Sequence, residues 1–68
     1  MTEYVVIYEQ GGDGWGVYSP DIAVFTHGDT RIEAEANIRE AIELHLAHLR
    51  SEGREPPGPL GSVGVVAI

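Results

Sequence analysis

The sequence contains no cysteine and no lysine, and it has only one tryptophan, one phenylalanine and three tyrosines. Without cysteine there is neither a disulfide staple nor a cysteine-based zinc site, and the chain fits a reducing compartment. Without lysine the only cations are Arg31, Arg39, Arg50 and Arg54, scattered along one segment. They cannot form the basic stripe that neutralises phosphates, so direct binding of DNA or RNA is not expected. The longest apolar run, Tyr4 to Tyr8, is far too short to span a bilayer, and the start Met1-Thr2-Glu3 lacks the positive region of a signal peptide. A cytoplasmic protein with no membrane association is expected.

What is abundant is negative charge. Eleven Asp and Glu stand against four Arg, a formal net charge of −7. An acidic surface keeps a small protein in solution and suits a basic partner, whose opposite potential speeds encounter. A chain of 68 residues makes one domain, and it buries only about 60% of the surface its unfolded chain would expose. Self-association, as a homodimer or larger homo-oligomer, or burial against a partner is the expected remedy.

Hydrophobic patterning gives the order β-β-β-α-β, an α+β domain over residues 1–68 in which one amphipathic helix packs on an antiparallel sheet. Tyr4-Val5-Val6-Ile7-Tyr8 is β-branched and aromatic throughout, as a strand should be. The Gly11-Gly12-Asp13-Gly14 turn should fold it into a hairpin with Trp15–Ser19. Gly16 inside that second strand suggests a bulge or a close backbone approach. Pro20-Asp21 makes a corner, and Ile22 to His27 reads as a third strand. Thr30-Arg31-Ile32-Glu33 has the form of a capping box, in which Thr30 accepts from the Glu33 amide and the Glu33 side chain reaches back to the amide of Thr30. The helix should run to about Glu52, before Gly53 and Pro56-Pro57. Ala34, Ile38, Ala41, Ile42, His45 and Leu49 share one arc of it, widened by Leu44 and Leu46, while Arg31, Glu35, Arg39 and Glu43 form a ladder of opposite charges. The tail Ser62–Ile68 again reads as a strand, which must pair within the chain or with a neighbouring subunit.

Little in this pattern points to catalysis. Asp13, Asp21 and Asp29 sit beside turns, as turn-forming aspartates do. Ser19 and Ser62 lack the flanking glycines of a nucleophile elbow. The glycine run at 11–14 lacks the Lys-Ser/Thr of a phosphate loop and leads into a strand. His45, His48 and Glu52 could face one way on the helix and offer three metal ligands, with a fourth from His27 or from another subunit; however, His45 lies at the centre of the apolar arc, where a packed imidazole is the commoner outcome. No catalytic residue, cofactor or metal is assigned.

The segments Tyr4–Tyr8, Asp13-Gly14-Trp15, Tyr18-Ser19-Pro20-Asp21, Thr26–Thr30, Glu33-Ala34 and Asn37–Ile42, taken in succession, resemble the N-terminal domain of HicB-type antitoxins, from about residue 3 to residue 57. The resemblance implies a degraded RNase H-like fold without its catalytic carboxylates, which covers a small basic toxin of the HicA kind that cleaves RNA. Full antitoxins of this type usually carry a C-terminal DNA-binding module for autorepression, and no such pattern follows the helix here. On this reading Asp21, Asp29 and Glu33 meet cations of the partner. Trp15, Val63, Val65 and Val66 contribute to the oligomer contact. The alternative is a stand-alone oligomeric regulatory or structural domain with no toxin partner.

Overall fold

The computed structural model describes residues 2–68. Three strands, β1 (Ile7–Gly11), β2 (Gly14–Ser19) and β3 (Val24–Gly28), form one antiparallel sheet in the order β1-β2-β3, and a single helix, α1 (Arg31–Ser51), follows. The α+β architecture and the order of strands and helix are those expected from the sequence. Gly12 and Asp13 form the turn between β1 and β2, closed by the Gly11–Gly14 pair. Gly14 adopts φ +134°, which a side chain would oppose, and a Cβ there would also lie 2.9 Å from Nε2 of His27.

Alternation along β2 sorts the sheet into two faces. Val17 is fully buried against the helix, so its neighbours Gly16 and Tyr18 point the other way. Val17, Ala34 and Ile38 form the centre of the core, with Val6, Tyr8, Trp15, Val24 and Ile42 packed around it. Ile22 and Leu49 are buried as well. Helix α1 lies over β3 and β2, off centre from β1. The tightest approach is at Gly28, where a Cβ would collide with the backbone nitrogen of Ala34. No residue with a side chain could hold β3 this close to the first turn of the helix.

Both ends of α1 are closed by local chemistry. Thr30 is extended (φ −125°, ψ 165°) and its Oγ1 accepts from the Glu33 amide at 3.1 Å. Oε2 of Glu33 accepts at 2.9 Å from the amide of Asp29, one residue earlier than a standard capping box places it. At the other end the Arg54 amide donates to Leu49 O (2.9 Å) and the Gly53 amide to Arg50 O (3.0 Å). With Gly53 at φ +71°, this is a Schellman closure. Of the expected charge ladder, only Glu35–Arg39 forms among the described residues, at 3.9 Å and well exposed. Arg31 instead lies over the ring of Tyr8, 4.5 Å from its centroid.

Four local expectations are corrected. β1 begins at Ile7 rather than Tyr4. Continuing the register past Ile7–Tyr18 would set Val5 opposite Pro20, which has no N–H to offer, and the Val5 amide donates instead to Oδ2 of Asp21 at 3.1 Å. β3 begins at Val24, because residues 20–23 form a turn that drives Ile22 into the core and puts Ala23 at φ +49°. No bulge occurs at Gly16: the ladder runs unbroken through Glu9, Gly16 and His27, and the Phe25 ring covers the glycine, 3.5 Å from where a Cβ would lie. Finally, the fourth strand does not form. Residues 62–68 form no strand and are exposed, Val65 to 95%. A lone strand gains no ladder hydrogen bonds, and the valines of this one are left exposed.

Candidate interaction surfaces

Asp21 is the most heavily engaged acidic side chain. Its Oδ2 accepts from the Val5 amide, and its Oδ1 accepts from the amides of Leu60 (3.1 Å) and Gly61 (2.7 Å). The Val5 amide, then that of Gly61, hold its pKa below the usual carboxylate value of 3.8, against a smaller opposing effect of desolvation. One carboxylate thus ties together the segment before β1, the corner before β3 and the root of the tail. A second stitch runs from Tyr4 Oη, which donates to Pro57 O at 2.6 Å.

Asp29 and Glu33 stand at the opposite end of β3 from Asp21, beside the helix N-terminus. A five-residue strand separates the two groups, about 17 Å at 3.3 Å per residue. The three acids proposed from the sequence to meet a partner are therefore not one cluster. Asp29 and Glu33 are exposed beside the helix N-terminus and Glu35, Glu40 and Glu43 are exposed farther along α1, whereas Asp21 spends its oxygens on the chain's own backbone. Trp15 lies on the helix-facing side of the sheet, half-buried against the core. Val63, Val65 and Val66 lie on the exposed tail.

Two apolar surfaces are visible only in three dimensions. The first is a groove of about 840 Å³ beside β1, where the off-centre helix leaves the inner face of the N-terminal segment uncovered. Tyr4, Val6 and Tyr8 of the N-terminal segment, Ile38, Ile42 and Leu46 of the helix and Pro56–Pro59 line it, together with the charged Glu3, Glu35, Arg39, Glu43, Arg50 and Glu55. The second is a row across the outer face of the sheet, in which Ile7 pairs with Tyr18 and Tyr18 with Phe25, the last 71% exposed.

The histidines do not converge. His27 sits on the outer sheet face over Gly14, His45 is half-buried on the helix, and exposed His48 lies 3.6 Å from Glu52. Among the described residues no group of three or more His, Asp and Glu has the spacing to hold a metal ion, and no helix is long and apolar enough to cross a membrane. The side chains present an acidic helix surface and bare apolar patches, an arrangement suited to binding another macromolecule. A family model described as the HicB-like antitoxin of bacterial toxin–antitoxin systems matches residues 4–66. No curated protein and no solved structure gives a significant match.

Proposed function

This chain belongs to the HicB-like antitoxin family, and from that premise we propose that it is a non-catalytic, cytoplasmic binding module that sequesters a small basic RNase toxin of the HicA kind by protein–protein contact. Family membership over nearly the whole chain is the observation that carries this reading. The net charge of −7 supports it, because a nuclease must be basic where it holds RNA, and an acidic antitoxin can occupy that surface. Asp29 and Glu33, with the exposed glutamates that follow them on α1, are the residues assigned to the encounter. Asp21, at the other end of β3, is assigned a structural role instead, through its three backbone hydrogen bonds.

The test is co-expression with the small basic protein encoded nearest to it, followed by co-purification and RNase assay. A near-equal complex without RNase activity is the expected result. Replacing Asp29 by Asn and Glu33 by Gln keeps an acceptor at each position but removes charge, so the on-rate should fall several-fold at low salt and its salt dependence should flatten. An on-rate unchanged by the pair of substitutions would remove the electrostatic part of the reading.

The uncovered apolar surfaces favour a second component, self-association into a homodimer or larger oligomer. Among the described residues five hydrophobic side chains are buried, whereas eight large ones are exposed, a poor ratio for a chain acting alone. Purification of the chain by itself as a stable oligomer, with no basic protein bound in any co-expression, would leave self-association as its role.

A further inference from the structure

We infer that the tail Ser62–Ile68 of one chain adds as a fourth strand to the free edge of β1 in a second copy, and that two copies exchange tails reciprocally; this rests on the self-association component of the reading above.

The tail has the composition of a strand without a sheet. Val63, Val65, Val66 and Ile68 are β-branched, none of its residues is charged, and Val63, Val65, Val66 and Ile68 are all at least 71% exposed. None of residues 62–68 takes part in a backbone hydrogen bond of the chain among the described residues. Its root, by contrast, is fixed. Leu60 and Gly61 donate to Asp21, and Asp21 also holds Val5, so the tail leaves from the end of the sheet at which β1 begins. Seven extended residues reach about 23 Å at 3.3 Å per residue, more than the length of the five-residue β1.

The sheet has two edges, and they are not equivalent. Asn37 Nδ2 donates to the carbonyl of His27 at 2.8 Å, and the helix packs over β3, so that edge is partly occupied. Along β1 every second peptide group points away from β2, with no backbone partner among the described residues. The groove lined by Tyr4, Val6, Tyr8, Ile38 and Ile42 runs beside this edge, so alternate side chains of an added strand would enter it.

Charge decides between the tail and the other apolar surface. Stacking two outer sheet faces would bring bodies of net charge −7 to about 10 Å, near the screening length at physiological salt. The tail carries no charged side chain, so pairing it with a β1 edge adds no like-charge contact between side chains of the paired segments beyond those of β1 itself. Within one chain the tail and the β1 edge both remain unpaired; two copies related by a two-fold axis satisfy both and close the assembly.

The absence of cysteine makes the test direct. The full chain is purified alone and its mass measured by sedimentation at micromolar concentration, then compared with Val63→Asp/Val65→Asp and with Val65→Pro. A dimeric parent and folded, monomeric variants, with the helical circular dichroism retained, are expected. In a second experiment Gln10→Cys and Val66→Cys are placed in one chain and oxidised gently. A covalent dimer on a non-reducing gel supports exchange. A monomeric parent, a dimer that survives both tail variants, or a cross-linked product that migrates as a monomer would each overturn it. Toxin binding is measured separately on the same tail variants. Loss of dimerisation with binding retained, or the reverse, separates this inference from the antitoxin reading.

Discussion

The two sides of this small sheet are finished to different degrees. On the β3 side, Gly28 lets the backbone of the helix approach to contact, Asn37 ties α1 to the strand, and Val17, Ala34 and Ile38 fill the space between. On the β1 side, the helix is displaced, a groove stays open, and the remaining chain is held by single stitches at Tyr4 and Asp21. The closed side carries the stability of the domain. The open side keeps the surface a partner can use, because bare apolar groups and unpaired strand edges are what association satisfies.

The sharpest way to break this contrast is a pair of glycine substitutions. Gly28→Ala should destabilise the domain by at least about 2–3 kcal/mol, because the colliding atom is backbone and cannot rotate away. Gly64→Ala, with open space around it, should change stability by no more than a few tenths of a kcal/mol. Urea denaturation followed by circular dichroism reads both. Equal effects would mean that the two sides are not packed as described.

Two smaller changes test single positions elsewhere in the fold. Ser19 is 1% exposed and its Oγ has no hydrogen-bond partner among the described residues, so the hydroxyl costs free energy that an apolar group would not. Ser19→Ala should therefore stabilise by about 1 kcal/mol, seen as a higher denaturation midpoint at unchanged slope. Gly53→Ala should cost about 1 kcal/mol, since φ +71° is disfavoured for any residue with a Cβ and the Schellman closure depends on it. A stabilised Gly53→Ala chain would show that the helix end is not held in this geometry.

The mildest perturbation acts on the open side alone. Because the backbone amides of Val5, Gly61 and Leu60 favour the ionised Asp21, its folded pKa lies below the unfolded value. The contribution of the clamp is thus complete above that unfolded value of 3.8 and is lost as pH falls through the lower folded pKa. Amide exchange at Leu60 and Gly61 should be protected at neutral pH and lose protection in acid, after allowance for the intrinsic pH dependence of exchange. Asp21→Asn should remove most of this protection at neutral pH while leaving exchange in α1 unchanged. Protection at Gly61 that is indifferent to both acid and substitution would rule out the clamp.

Much of the architecture was legible because it is local. The turn at Gly11–Gly14, the Thr30 cap, the stop at Gly53 and the apolar arc through Ala34, Ile38 and Leu49 each depend on residues a few positions apart. The misjudged boundaries depended on partners far along the chain. Tyr4–Val6 has strand composition but faces the proline corner, and Leu44 has core composition but stands 66% exposed, two turns beyond Asn37 on the flank of the helix at the β3 edge. Among the proposed partner residues, the negative charge of Asp29 and Glu33 was readable, but the bonds of Asp21 to residues 16 positions before it and 39 and 40 after it were not.

By itself, the sequence determined the hairpin, the third strand and the helix, the sign of the surface, and the family resemblance, since composition, spacing and turn chemistry act over a few residues. Only the tertiary structure decided which sheet edge is occupied, where the helix leaves the groove, and that the tail stays unpaired within one chain. Those outcomes depend on how whole elements dock, and docking is governed by close approach at single positions such as Gly28 and by hydrogen bonds between distant segments such as those meeting at Asp21.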